Sequence, residues 1–127
     1  MDVTTFAAWV AALGRAWEMK DAAAAAALFA EDASYQEDSF AAPMRGRDAI
    51  RAYWADVPLS QDDIVFAFQV ITVSGDLGIA HWWCSLIRKP SGVPVKLDGV
   101  FVVTFDAHGL GQTFREWWQK QEESQDS

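Results

Sequence analysis

Two acidic positions in this chain have neighbours that suit general acid–base chemistry. Glu116 alternates with Phe114 and Trp118, so on an extended chain its carboxyl shares one side with two aromatic rings. Burial among such rings disfavours the charged form and raises the pKa, which makes a carboxyl usable as proton donor or acceptor near neutral pH. An ion pair with Arg45 or Arg47, or a kink that turns the side chain to solvent, is the plainer alternative for Glu116. The second position is Asp38, preceded by Glu37, where Ser34-Tyr35-Gln36-Glu37 runs into a loop. A carboxylate there could abstract a proton from a carbonyl compound, or it could be an ordinary solvated loop acid. Beside it, Tyr35 offers a hydroxyl to a substrate oxygen, against the plainer description of a half-buried strand tyrosine.

Other reactive side chains carry less. Asp98 precedes Gly99, and a glycine within a strand can mark a bulge that would turn Asp98 inward; without the bulge it faces the outer surface. His81 and Trp83 alternate with Trp82, Cys84 and Leu86, which assigns His81 to an outer face or interface, and His108 falls in the turn Asp106 to Gly109. One cysteine excludes an internal disulfide and, with two histidines, leaves too few soft ligands for a zinc site. Cys84 reads as a buried thiol, and no metal or cofactor is expected.

The elements that must position these groups follow from periodicity. From Val3 to Met19, Phe6, Trp9, Val10, Leu13, Ala16 and Trp17 recur at helical spacing behind Thr4 or Thr5 as N-cap. Asp21 caps a second helix through the alanines Ala22 to Ala27, whose intrinsic cost in a helix is the lowest of any residue. A short strand is predicted at Ser34 to Glu37, a loop from Asp38 to Arg45, and a third helix from about Asp48 to Pro58, carrying Ile50, Tyr53 and Trp54. From Ile64 to Val73 the chain is apolar on both faces, as a covered strand requires. Leu77 to Arg88, Val95 to Phe105 and Gly111 to Trp118 complete a meander, and Gln119 to Ser127 reads as a frayed polar tail.

This order predicts a single α+β domain over residues 1–127, with three helices covering one face of a strongly curved, mixed or antiparallel sheet. A net charge of −8 and the lack of any basic stripe argue against nucleic acid and anionic membranes. No leader pattern and no long apolar run is present, so a soluble, cytoplasmic protein is expected.

Four segments in this order, Leu28-Phe29-Ala30-Glu31-Asp32-Ala33, Gly46-Arg47-Asp48-Ala49-Ile50 with Tyr53-Trp54, Phe105-Asp106-Ala107-His108-Gly109 and Arg115-Glu116-Trp117-Trp118, carry a resemblance. The chain resembles the nuclear transport factor 2-like superfamily, specifically its SnoaL-like branch, which includes ketosteroid isomerase. The resemblance implies a cone that admits a small apolar ligand and a sheet whose outer face makes a homodimer. It sets Leu97, Gly99, Phe101, Val103, Phe114, Glu116 and Trp118 inside the cone, and Asp98, Val100, Val102, Thr104, Arg115 and Trp117 outside. The isomerase's general base aligns with Glu37 without gaps, or with Asp38 when Glu37-Asp38-Ser39-Phe40 is matched instead. Its two oxyanion donors fall at Leu13 and Phe101, which cannot donate, and loss of one such donor costs ~10²-fold or more in rate. Ketosteroid isomerase activity is therefore not expected.

The sequence thus points to a pocket for a small hydrophobic molecule, lined by Leu13, Trp17, Phe40, Trp54, Trp82, Phe101 and Trp118. Asp38 and Glu116, with Tyr35, would catalyse an isomerase, cyclase or dehydratase reaction without a cofactor. The alternative is a non-catalytic ligand-binding or accessory dimer. Trp83 and Trp117, with Val100 and Val102, would cover each other in a homodimer through the outer sheet face.

Overall fold

The structure is a computed structural model and describes residues 1–123. Helix α1 (Val3–Glu18) starts at Asp2, whose carboxylate accepts the Thr5 N–H at 2.8 Å, so the threonine supplies the capped amide rather than the cap. Its stripe from Phe6 to Trp17 is buried as its spacing predicts. Lys20, at a positive φ of 55°, turns the chain into the short α2 (Ala22–Ala26), capped by Asp21.

The predicted short strand is longer and earlier than expected. β1 (Phe29–Gln36) starts where the sequence seemed to be closing a helix, and Glu37 lies just beyond it. The reason is non-local: β1 pairs in parallel with the last strand, from Phe29 opposite Gly111 to Gln36 opposite Arg115, and Phe29 is fully buried. The loop that follows contains β2 (Met44–Arg45), an antiparallel edge on β1. Gly46, at φ 93°, then admits α3 (Arg47–Asp56), and a 3-10 turn (Val57–Ser60) built on Pro58 ends it.

Four long strands follow: β3 (Gln61–Ser74), β4 (Leu77–Arg88), β5 (Pro94–Phe105) and β6 (Gly111–Glu122). The six strands form one sheet in the order β2-β1-β6-β5-β4-β3, parallel only between β1 and β6. The sheet is mixed and does not close into a barrel; with the three helices it gives the expected α+β architecture. β6 runs to Glu122 because Val95 to Leu97 of β5 continue its ladder, so Gln119–Glu122 are not a frayed tail. The rest of that predicted tail, 124–127, lies outside the described residues.

The β4–β5 and β5–β6 registers pass Gly99 without a break, so no bulge turns Asp98 inward. Asp98 instead lies outside, with both carboxylate oxygens 2.9 and 3.0 Å from His81 Nε2. On the inner side Gly99, Phe101, Val103, Phe114 and Glu116 are buried, and α1 packs across β3 to cover them.

Candidate functional site

A cavity of about 520 Å³ lies against the inner surface of β4, β5 and β6, between the end of α1 and the α3 turn. Six aromatic side chains stand in its wall. Trp82 stacks on Phe101 with ring centroids 5.1 Å apart, Trp17 meets Trp82 at 5.8 Å and Trp54 at 5.6 Å, and Trp118 stands at the rim, 40% exposed. These are the offset and edge-on arrangements that ring quadrupoles favour. Trp17 is held by donating its indole N–H to Gln61 Oε1 at 2.8 Å, and Trp118 by donating to the Glu37 carbonyl oxygen at 3.2 Å.

Into this apolar wall β6 projects Glu116, only 8% exposed. Its register opposite Phe101 makes the inward direction obligatory, since strand side chains alternate. Burial pushes its carboxyl well above the ordinary 4.5, and the nearby negative charge of Glu37 pushes it the same way. Both effects favour the protonated form of Glu116 at the cavity wall. Glu37, one residue past β1, lines the same cavity. Tyr53, from α3, completes the polar group; burial first, then Glu116 and Glu37, raise its hydroxyl above the ordinary range, so it keeps its proton and remains a donor.

The residues expected at the site separate into two groups. Trp17, Trp54, Trp82, Phe101, Glu116 and Trp118 line the cavity together. Leu13 does not: it is 1% exposed and packed in the core beneath it. Tyr35 is also 1% exposed and is stacked on Phe114 at 4.3 Å, with burial and then Glu116 raising its pKa. Asp38 and Phe40 border a separate hollow of about 420 Å³ on the far side of Trp118, which Glu37 and Glu116 also touch. There Asp38 accepts the Phe40 N–H at 2.9 Å, and the Phe40 side chain is 99% exposed. Of the two alignments left open, the carboxylate that shares the main cavity with Glu116 is Glu37.

Neither arginine considered as a partner reaches Glu116. Arg47 donates from Nε and Nη2 to the Phe29 carbonyl oxygen at 3.0 and 2.7 Å, while Arg45 lies on the β2 edge. Tyr53, Gln61, Arg88 and Lys120 line the cavity without having been singled out. Tyr53 was legible in principle, being three residues after Ile50 on the helical stripe; Gln61 and Lys120 depend on strand extensions that local pattern does not mark. Cys84 is buried, and burial pushes its thiol up to about 12, which makes it a poor nucleophile at neutral pH.

An open, curved sheet wrapped by three helices around an aromatic cavity defines a small α+β pocket domain. The family model for the SnoaL-like domain matches residues 8–110, and the chain belongs to that family, within the nuclear transport factor 2-like superfamily. Solved structures share the fold at low identity. The epoxide hydrolase/cyclase-like enzyme SalBIII, with a role in pyran ring formation in the polyether salinomycin, superposes with a TM-score of 0.75 at 20% identity, over 87% of this chain and 88% of its own. A protein with a ketosteroid isomerase-like fold from Catenulispora acidiphila, in complex with trimethylamine, gives 0.76 at 18% identity over 86% and 83%. A computationally designed 17-OHP binder gives 0.75 at 19% over 92% and 96%. No curated protein matches the sequence. No helix among the described residues is long and apolar enough to cross a membrane.

Proposed function

We propose that this protein is a cytoplasmic, cofactor-independent enzyme that binds a small, largely apolar molecule and moves protons on it by carboxyl chemistry of isomerase, cyclase or dehydratase type. The observation that carries this reading is the pairing, in one aromatic cavity, of a buried carboxyl whose pKa is raised, Glu116, with a second carboxyl, Glu37. Two acids in unequal surroundings divide the roles: the one with the raised pKa donates, and the one nearer solvent accepts. Glu37 takes the base role first given to Asp38, because Asp38 borders the outer hollow and not the main cavity. The fold relationship to an epoxide hydrolase/cyclase-like enzyme is compatible with this chemistry.

The test uses a ketone whose exchange reports enolisation. In deuterated buffer the protein is expected to accelerate exchange of the methyl protons of 2-acetylnaphthalene. The double variant Glu37→Gln, Glu116→Gln should remove that acceleration while retaining the wild-type circular dichroism spectrum. Exchange at the protein-free rate, or acceleration that survives the double variant, overturns the catalytic assignment.

Leu13 and Phe101, standing where the isomerase has its donors, favour a second reading in which the cavity only holds its ligand; the fold relationship to a designed steroid-type binder is consistent with it. In either reading the protein is proposed to be a homodimer through the outer sheet face, supported by Trp83 and Trp117, which are 40% and 43% exposed there.

A further inference from the structure

The cavity contains a hydrogen-bond donor that the sequence comparison with the isomerase does not reveal. Trp82 is 3% exposed, lines the cavity, and its Nε1–H has no hydrogen-bond partner among the described residues. A buried donor left without an acceptor is costly, and such groups are rare in folded proteins. The neighbouring indoles differ. Trp17 and Trp118 each donate within the fold, and the Trp54 N–H, also without a bond of normal length, has the Tyr35 oxygen beside it.

Gly99 lets the Trp82 nitrogen lie close against the β5 backbone. Trp82 lies opposite Gly99, which lies opposite Trp118, so the three form one row across β4, β5 and β6. A Cβ at position 99 would come within 2.9 Å of Trp82 Nε1, 2.9 Å of Trp118 Cβ and 2.4 Å of the Trp117 carbonyl oxygen. Gly99 is therefore required by close approach, and the indole nitrogen sits over the bare backbone beside the cavity that the Trp82 ring lines. The next row along the same strands is Ala80, Phe101 and Glu116. The donor and the Glu116 carboxyl are thus one row apart on the same face of the sheet.

We infer that Trp82 Nε1–H is a ligand-binding donor that receives an acceptor oxygen, of the carbonyl or ether class, from an otherwise apolar ligand whose body stacks among Trp17, Trp54 and Phe101. This rests on the proposed use of the cavity and names the chemical class it takes. Trp82 then supplies from β4 a donor of the kind that Leu13 and Phe101 lack. A site built to satisfy a buried donor also discriminates, because a ligand without the oxygen leaves that donor unpaired.

The experiment uses two probes of similar shape, 2-acetylnaphthalene and 2-isopropylnaphthalene, which differ in the acceptor oxygen. Calorimetric titration of the wild-type protein is expected to show the ketone binding on the order of tenfold more tightly, as one neutral hydrogen bond to an otherwise unpaired donor allows. Trp82→Phe, which keeps an aromatic ring and deletes the N–H, should bind both probes alike. A second measurement needs no variant to be stable: in ¹⁵N-labelled wild-type protein, one indole N–H resonance should move downfield with the ketone and not with the hydrocarbon, and Trp82→Phe identifies it. Equal affinity for both probes with no selective indole shift overturns the inference and leaves the pocket reading standing. Binding of neither probe overturns the pocket reading, and this inference with it.

Discussion

The two faces of the β5–β6 ribbon carry acids of opposite character three rows apart. Asp98 faces outward, 64% exposed, and grips His81 Nε2. Glu116 faces inward and makes no ion pair among the described residues, and burial, then the charge of Glu37, raises its pKa. The backbone geometry of the two positions is the same; what differs is the dielectric on either side of one sheet. Acidic residues are therefore sorted by side-chain parity: the outer acid is paired and solvated, and the inner one is kept from water.

The largest effect should come from the hydrophobic side of that contrast. Phe114→Ala removes a fully buried ring that stacks on Tyr35, and a loss of about 3–5 kcal/mol is expected in chemical denaturation. Trp117→Ala, three residues along on the outer face, should cost under ~1 kcal/mol in the monomer. In sedimentation it should convert the proposed dimer to a monomer. Similar losses for Phe114→Ala and Trp117→Ala would erase the distinction between the faces, and a wild-type monomer would remove the proposed interface.

An intermediate effect concerns pH. Glu116 binds its proton more tightly folded than unfolded, so its contribution is fully present below the unfolded value near 4.5 and is lost as pH rises toward the raised folded value. Glu116→Gln keeps the shape and removes the titration. Its melting temperature should fall less than that of the wild type as pH rises through that window, and the variant should be the more stable protein at the alkaline end. Parallel profiles would mean that the Glu116 pKa is not raised by folding.

The smallest effect belongs to the outer pair. In the monomer, Asp98→Asn should change stability by less than ~1 kcal/mol, with the difference shrinking further in high salt, because an exposed ion pair gains little and is screened. A large, salt-insensitive loss in the monomer would show that the outer pair is not solvated there.

Much of this was legible locally. The α1 stripe, the alanine helix and the four long strands follow from period and composition, and parity alone paired Glu116 with Phe114 and Trp118. The early start of β1 and the extension of β6 to Glu122 were not legible, because each is stabilised by a partner strand far away in sequence. The same limit applied to the site. Asp38 and Glu37 are neighbours in sequence, and only the end of β1 decides which one turns into the cavity with Glu116.

By itself the sequence determined the family, the helices, the long strands and the alternation that sends one acid inward and another outward, since these depend on backbone sterics and residue period. Tertiary structure alone decided that Glu37 joins Glu116, that Leu13 and Tyr35 sink into the core, and that Trp82 faces Gly99 with an unpaired N–H. Those outcomes depend on strand register across the sheet and on water being excluded from one side of it, and neither is a property of any short stretch of chain.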